Sequence, residues 1–367
     1  MHFSAHSDFS EVSLMAMKRF MDITDFTREE LRETLNQFVF VNQNKSVYAS
    51  ELKGKTIINA FFKENNFVKA SYEATASRTS GSAISYSHTP GRTLKDEVTE
   101  MSALGDVIVL SHPKKGAARA ASLYSRIPVI NAGDGGRAYP VRTLADIATV
   151  SLEKKHVSNM KIGFLGDFSD NAPAKGLLQC LNLYKGNEFY FVSVNGKPIS
   201  DAYVSLMDKR EKPFEVYNNL FDILPELDVL YMTRVDKSSF DNEIMYESRK
   251  HNFVLDERML MIAKPDLIVM HPFPRGEELD MSVDGDHRVV YFRQMGYFND
   301  ACLISLIKTV SNKPSKYIEP INEAPTHEKC CGKEDCITSE EGYLPPLFFE
   351  TEDGRLICKY CMQELSE

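Results

Sequence analysis

Apolar and polar positions along the chain fall into two series of short strand-like runs. The first series holds KTIINA (55–60) continuing into FF, GDVIVL (105–110) and PVINAG (128–133). The second holds KIGFLGD (161–167), NEFYFVSV (187–194), DVLYMTRV (228–235) and PDLIVMHPFP (265–274). Stretches of helical period separate the runs, which predicts right-handed βαβ units and parallel sheets. Thr27-Arg28-Glu29-Glu30 is a capping box, and Leu31, Leu35, Phe38 and Val39 follow it on one helical face. TLADIATVSLEKKH (143–156) and FNDACLISLIKTV (298–310) read as further amphipathic helices. The two series therefore predict two α/β domains, over 19–155 and 156–297, with the first completed by the helix near 298–311. An extension (1–18), a Pro- and Asn-bearing linker (312–328) and a cysteine module (329–367) make up the rest.

The strand-to-helix junction FFKENNFVKASYEA (61–74) raises a chemical question. Free N–H groups and the positive end of a helix dipole make such a junction a natural anion site. This one carries Asn65, Asn66, Phe67 and Val68, with no glycine, hydroxyl or arginine, and the helical pattern is plain only after Ala70. Other runs end in SHPKKGAAR (111–119), NAGDGGRAYP (131–140), TRV (233–235) and HPFPRGEE (271–278). Ligands of α/β folds sit at such carboxyl ends, although each segment taken alone is an ordinary turn.

Composition narrows the classes. The chain has 367 residues, 26% charged and 43% hydrophobic, with a net charge of −9. An acidic chain without clustered Lys and Arg is no match for a nucleic-acid backbone. No stretch approaches the ~18 apolar residues of a membrane span, and MHFSAHSDFSEVSLMAMKRF lacks the basic-then-apolar pattern of a secretory signal. A cytoplasmic protein is expected. Of seven cysteines, Cys180 and Cys302 stand in apolar patterns, and five crowd the last forty residues. In a reducing compartment that clustering points to metal. Cys331 and Cys336 form one close pair, Cys358 and Cys361 another, and LPPLFFET and RLICKY between them predict a hairpin. Four thiolates so arranged suit one closed, structural Zn2+; by spacing alone Cys330 can replace Cys331.

HPKKGAAR, NAGDG, LYMTRV and HPFPR, in this order and at these distances, resemble the catalytic chain of aspartate carbamoyltransferase from about Phe20 to Lys313. CGKEDC…CKYC (331–361) resembles the zinc domain of that enzyme's separate regulatory chain, in a register that favours Cys331. The resemblance implies two parallel-sheet α/β domains of the aspartate/ornithine carbamoyltransferase type plus a small C-terminal β zinc domain. The first would be the carbamoyl-phosphate domain and the second the aspartate domain. It also implies an active site between the domains, shared across a trimer interface, and a final helix that returns to the first domain. The regulatory chain's nucleotide-binding domain has no counterpart here.

The family transfers a carbamoyl group from carbamoyl phosphate to aspartate, which requires phosphate, carbonyl and carboxylate ligands. At the positions the resemblance assigns to them, Asn65, Asn66, Phe67 and Val68 replace a Ser-Thr-Arg-Thr clamp. Tyr86 and Pro90 replace a Ser and a Lys of the loop that reaches a neighbouring subunit. Ser111 replaces an arginine, Tyr139 a histidine, Arg142 a glutamine and Ala172 an acceptor-binding arginine; Asp236 stands in place of another glutamine. Arg234, Pro272, Phe273 and Pro274 are retained, and Arg275 follows them. Each lost charge-assisted hydrogen bond removes roughly 1.5–3 kcal/mol, so five or more are on the scale of the whole ~8 kcal/mol of a micromolar ligand. The implied protein is an inactive scaffold or regulatory partner in pyrimidine biosynthesis, forming a trimer-type homo-oligomer or a hetero-oligomer with an active chain. The competing expectation is an active carbamoyltransferase-family enzyme acting on carbamoyl phosphate and L-aspartate, or on an altered donor or acceptor served by Asn65, Asn66, Tyr139, Lys69, Arg137 or Arg142.

Overall fold

Two all-parallel sheets form from the two series of apolar runs. The computed structural model describes residues 19–168, 171–207, 214–310, 323–352 and 354–365. The extension expected over 1–18, and most of the expected linker, lie outside the described residues. The first sheet contains β1 (Arg19–Phe20), β2 (Thr56–Phe61), β3 (Ser82–Tyr86), β4 (Val107–His112) and β5 (Val129–Asp134), in the order β1-β5-β4-β2-β3. The second contains β6 (Lys161–Gly166), β7 (Glu188–Ser193), β8 (Glu215–Tyr217), β9 (Val229–Met232) and β10 (Ile268–Met270), in the order β10-β9-β6-β7-β8. A small antiparallel hairpin follows, β11 (Phe348–Glu350) with β12 (Leu356–Cys358).

Helices α1 (Arg28–Gln43), α2 (Asn66–Arg78), α3 (Leu94–Leu104), α4 (Ala117–Tyr124) and α5 (Pro140–Lys154) belong to the first half of the chain. The second half adds α6 (Ala172–Asn182), α7 (Asp201–Met207), α8 (Glu243–Arg249), α9 (Glu257–Ile262) and α10 (Tyr291–Val310). The capping box is made as expected: Thr27 Oγ1 accepts from Glu30 N, and Glu30 returns a carboxylate to Thr27 N. Three helix starts differ from the periodicity. The first, α2, begins at Asn66 rather than after Ala70, because Asn65 Oδ1 accepts from Val68 N at 3.3 Å and supplies a cap. Pro140 opens α5 before residue 143, its fixed φ being suited to the first helical position. The third, α10, begins at Tyr291, seven residues before the expected start at 298. Edge strand β3 occupies part of what reads as loop in SYSHTPGRTL, its side chains mostly exposed and so lacking an apolar signal.

Strand order turns back beside β2 in the first sheet and beside β6 in the second, and crevices open at such switch points. Helix α10 leaves the second sheet and packs on α5, α2 and α1. Its polar ties to them include Tyr72 Oη to Ser305 Oγ at 3.0 Å and Asn42 Nδ2 donating to Asp300 at 2.8 Å.

The C-terminal module sits on α3 and α4. Lys115 N donates to Asp335 O at 2.8 Å and Ile337 N to Lys115 O at 3.0 Å. Glu341 accepts from Leu94 N at the start of α3, and Tyr343 Oη from Lys95 N, each at 2.8 Å. Its cysteines share a core cluster with Leu94, Val98 and the alanines of α4. Gly116 makes the close approach possible: its φ is +83°, and a Cβ there would lie 2.6 Å from the Tyr360 backbone. Gly116→Ala is expected to cost about 2–4 kcal/mol in urea unfolding, from left-handed strain plus overpacking. Gly54→Ala, also left-handed but with nothing within 4 Å, should lose only about 1 kcal/mol.

Candidate functional site

Between the carboxyl ends of the two sheets lies a cleft of about 660 Å3. Of the eleven positions where the resemblance puts a replaced ligand, six line it: Asn65, Phe67, Ser111, Tyr139, Arg142 and Ala172. Arg234, Pro272, Phe273 and Pro274 line the facing wall. Asn66 and Val68 do not reach it; Asn66 is the exposed first residue of α2, and Val68 is buried in the core. Lys63 and Glu64 at the rim, and Met295 on α10, are lining residues that no motif marked.

The polar groups of the cleft are largely committed to the protein itself. Asn65 caps α2, and Asn171 caps α6 by accepting from Ala174 N at 3.1 Å. Both helix N-termini therefore spend donors on their own side chains. Ser111 Oγ donates to Lys63 O at 3.1 Å. His271 Nδ1 accepts from Phe273 N at 2.9 Å, which leaves Nε2–H to donate to Glu278 at 3.1 Å. Arg275 is held by Asp284 at 2.5 and 2.9 Å. Asp236 caps the following 3-10 turn and lies 3.8 Å from Arg234. Arg137 faces Asp22 at 3.6 Å and Asp134 at 3.9 Å, and neither it nor Lys69 lines the cleft.

Phe67 turns the α2 end of the cleft apolar. Its ring lies 5.4 Å from that of Phe298 on α10, and Tyr139 meets the same ring edge-on at 6.3 Å. Arg142 completes the group, its guanidinium carbon 4.3 Å from the Phe298 centroid. Nothing in the sequence pattern marked Phe298, which reads as one more core position of an amphipathic helix. The Tyr139 hydroxyl is buried without a hydrogen-bond partner, and burial pushes its pKa well up, so the phenol keeps its proton.

The loop after β3 folds onto its own domain. Tyr86 Oη and Arg92 both bond Glu100, at 2.5 and 2.7 Å, and Thr89 N donates to the fully buried Glu97 at 2.8 Å. Neither Tyr86 nor Pro90 lines the cleft of this chain.

A second constellation lies in the C-terminal module. Cys331, Cys336, Cys358 and Cys361 are all buried, with sulfur atoms within 4.8 Å of one another, and Cys330 is exposed outside the group. The Cys331 and Cys361 sulfurs are 3.6 Å apart. That is far longer than a disulfide and near the ~3.8 Å between thiolates on one tetrahedral ion bound at 2.3 Å. The four residues fit a metal ion, and a full thiolate set leaves no open position.

Two doubly wound domains facing each other across strand carboxyl ends, tied by a returning helix, have the architecture of the aspartate and ornithine carbamoyltransferases. Residues 18–151 match the family model described as "Aspartate/ornithine carbamoyltransferase, carbamoyl-P binding domain", and 158–299 the corresponding "Asp/Orn binding domain". The aspartate carbamoyltransferase catalytic subunit of Clostridium novyi is 34% identical over 298 residues, covering 79% of this chain and 97% of that protein. That of Finegoldia magna is 33% identical, covering 77% and 95%. Among solved structures, the catalytic subunit of M. jannaschii aspartate transcarbamoylase superposes with a TM-score of 0.75 at 30% identity, covering 80% and 97%. The Trypanosoma cruzi aspartate transcarbamoylase complex with N-(phosphonacetyl)-L-aspartic acid gives the same score at 24% identity, which speaks for the fold alone. This chain belongs to the aspartate/ornithine carbamoyltransferase family. The family models end before the cysteine module.

Behind Arg142, Asp146 accepts from Tyr231 Oη at 2.6 Å and Gln294 Nε2 at 2.7 Å. Burial pushes its carboxyl up to about 6, against the pull of Arg142. Between the unfolded and folded pKa values the native state binds the extra proton, so this group's contribution falls as pH rises. The stability of the native chain relative to Asp146→Asn should therefore drop by about 1–3 kcal/mol from about pH 5 to about pH 7, measured by urea unfolding across that range.

Proposed function

We propose that this chain is a transcarbamylase-fold scaffold in which the family's donor site has been dismantled. The observation that carries the reading is Phe67. Where the resemblance puts a phosphate-neutralising arginine, a ring packs on Phe298 at 5.4 Å, and an aromatic ring cannot neutralise a dianion. Asn65 occupies the α2 N-terminus, the Ser111 hydroxyl is spent on Lys63 O, and Ala172 offers no donor. No single replacement is decisive, but together they remove interaction on the scale of the whole ~8 kcal/mol that micromolar phosphoester binding requires.

The proposed setting is cytoplasmic pyrimidine biosynthesis, with the chain as a regulatory or structural partner. Its assembly would be a trimer-type homo-oligomer or a hetero-oligomer with an active aspartate carbamoyltransferase chain. The loop that the resemblance sends into a neighbouring subunit is here tied to its own α3 through Glu97 and Glu100, which supports a role without shared catalysis. Among the described residues no helix is long and apolar enough to cross a membrane. The proposed domain limits remain 19–155, 156–297 and 329–367, and the four cysteines are proposed to hold a structural zinc that fastens the module. The competing reading, a remodelled transferase, is favoured by one feature only, the buried Arg142.

Calorimetric titration of the purified chain with carbamoyl phosphate should give no binding heat at millimolar ligand; micromolar affinity would overturn the proposal. Metal analysis should find one zinc per chain. Removing it with a chelator, or replacing Cys358 by Ser, should unfold the module and lower the thermal midpoint, since metal binding supplies the folding energy of such small domains. An unchanged midpoint after metal removal would remove zinc from the account.

A further inference from the structure

A cation buried among apolar groups is costly unless something completes it. Arg142 is in that position. It is only 4% exposed, and among the described residues it forms no ion pair. Its close contacts are rings, with its guanidinium carbon 4.3 Å from the Phe298 centroid, 5.8 Å from that of Phe67 and 5.9 Å from that of Tyr139; the buried Asp146 carboxylate, one turn on along α5, feels its charge without forming an ion pair with it. Ring faces attract the cation, but they do not accept in-plane N–H bonds as a carboxylate does. The Tyr139 hydroxyl beside it is also buried and unpartnered, and both side chains line the cleft. Among the described residues, therefore, the Tyr139 hydroxyl has no hydrogen-bond partner and the adjacent Arg142 no carboxylate partner, at the wall of a cavity of about 660 Å3.

We propose that the cleft binds a small monocarboxylic acid. Its carboxylate would bridge the Arg142 guanidinium and the Tyr139 hydroxyl, and its apolar body would rest against Phe67, Ala172, Phe273, Pro274 and Met295. A planar carboxylate matches the guanidinium fork. A phosphate dianion suits the same place less well, because one buried cation balances one negative charge and the N-termini of α2 and α6 spend donors on their own side chains; α5, which carries Arg142, starts without a side-chain cap. Arg234, across the cleft, has a half-exposed side chain and is already faced by Asp236 at 3.8 Å. It therefore makes a weak second anchor for a dicarboxylate. This inference rests on the proposed loss of the donor site and gives the emptied cleft a ligand class.

The test is saturation-transfer NMR and calorimetry on the full-length chain, with butanoate, benzoate, their primary amides, succinate and inorganic phosphate as probes. At least one of the two acids should bind, and its amide should bind at least about tenfold more weakly, the effect of losing a charge-assisted contact. Succinate and phosphate should bind more weakly than that acid. Arg142→Gln should weaken the acid by a similar factor; if that variant fails to fold, the acid–amide comparison on the native chain decides alone. Equal binding of acid and amide, no binding of either acid at millimolar concentration, undiminished binding by a folded Arg142→Gln chain, or tighter binding of succinate would overturn the inference while leaving the scaffold proposal standing. Phosphate binding tighter than both acids would overturn both.

Discussion

The carboxylate of Asp146 accepts from Tyr231 on the second sheet and from Gln294 on the returning helix, and Gln294 accepts in turn from His271 N at 3.0 Å. One acidic side chain of α5 is thereby linked to β9, α10 and the start of the His-Pro-Phe-Pro loop. The two walls of the cleft are set by this link together with the packing of α10 on α5. A buried carboxylate is an expensive fastening, since burial disfavours its charged form. Both of its oxygens are satisfied, however, and removing either partner would leave an unsatisfied buried acceptor. Such links hold a particular geometry more than they add stability.

Inside that frame lies a packed aromatic cluster. Phe67, Tyr139 and Phe298 form a contiguous group with the Arg142 guanidinium against it. The cluster gains apolar burial and cation–π attraction, whereas a phosphate site at the same helix end would need open N–H groups and unpaired cations. The two designs exclude each other in one space. Phe67, packed on Phe298 of α10, brings apolar area and no charge to that helix end. The retained backbone turns at β5, β9 and β10 keep their shape because they also serve the sheets and the domain junction.

The cysteine module adds a third layer of dependence. Its core is continuous with the α3 and α4 side of the first sheet, and its backbone continues that domain's hydrogen bonding through Lys115. A segment this short cannot bury enough apolar surface to fold alone. Its four cysteine sulfurs converge within 4.8 Å of one another, and it shares its core with the surface it covers. The first domain's side of this shared core includes the buried apolar residues Leu94, Val98 and Ala117.

Much of this was legible in the linear pattern. Alternating apolar runs and helical stretches specify strand and helix order because local burial periodicity is a property of the chain itself. The Thr27 capping box and the hairpin between the cysteine pairs followed from residues a few positions apart. The residue types at the strand ends, Asn65, Phe67, Ser111 and Ala172 among them, were likewise legible, since a side chain's chemistry needs no coordinates. Edge strand β3, with few buried side chains, left no apolar trace, and the early start of α10 was hidden in a segment whose partners lie in both domains. Only the tertiary structure could decide that Asn65 closes its own helix, that Arg137 is paired while Arg142 is not, and that Phe298 meets Phe67 across a separation of more than 200 residues. Sequence determines which groups are available and how each segment repeats. Whether a given charge finds a counter-charge or a ring depends on distances between distant segments, which exist only once the chain has folded.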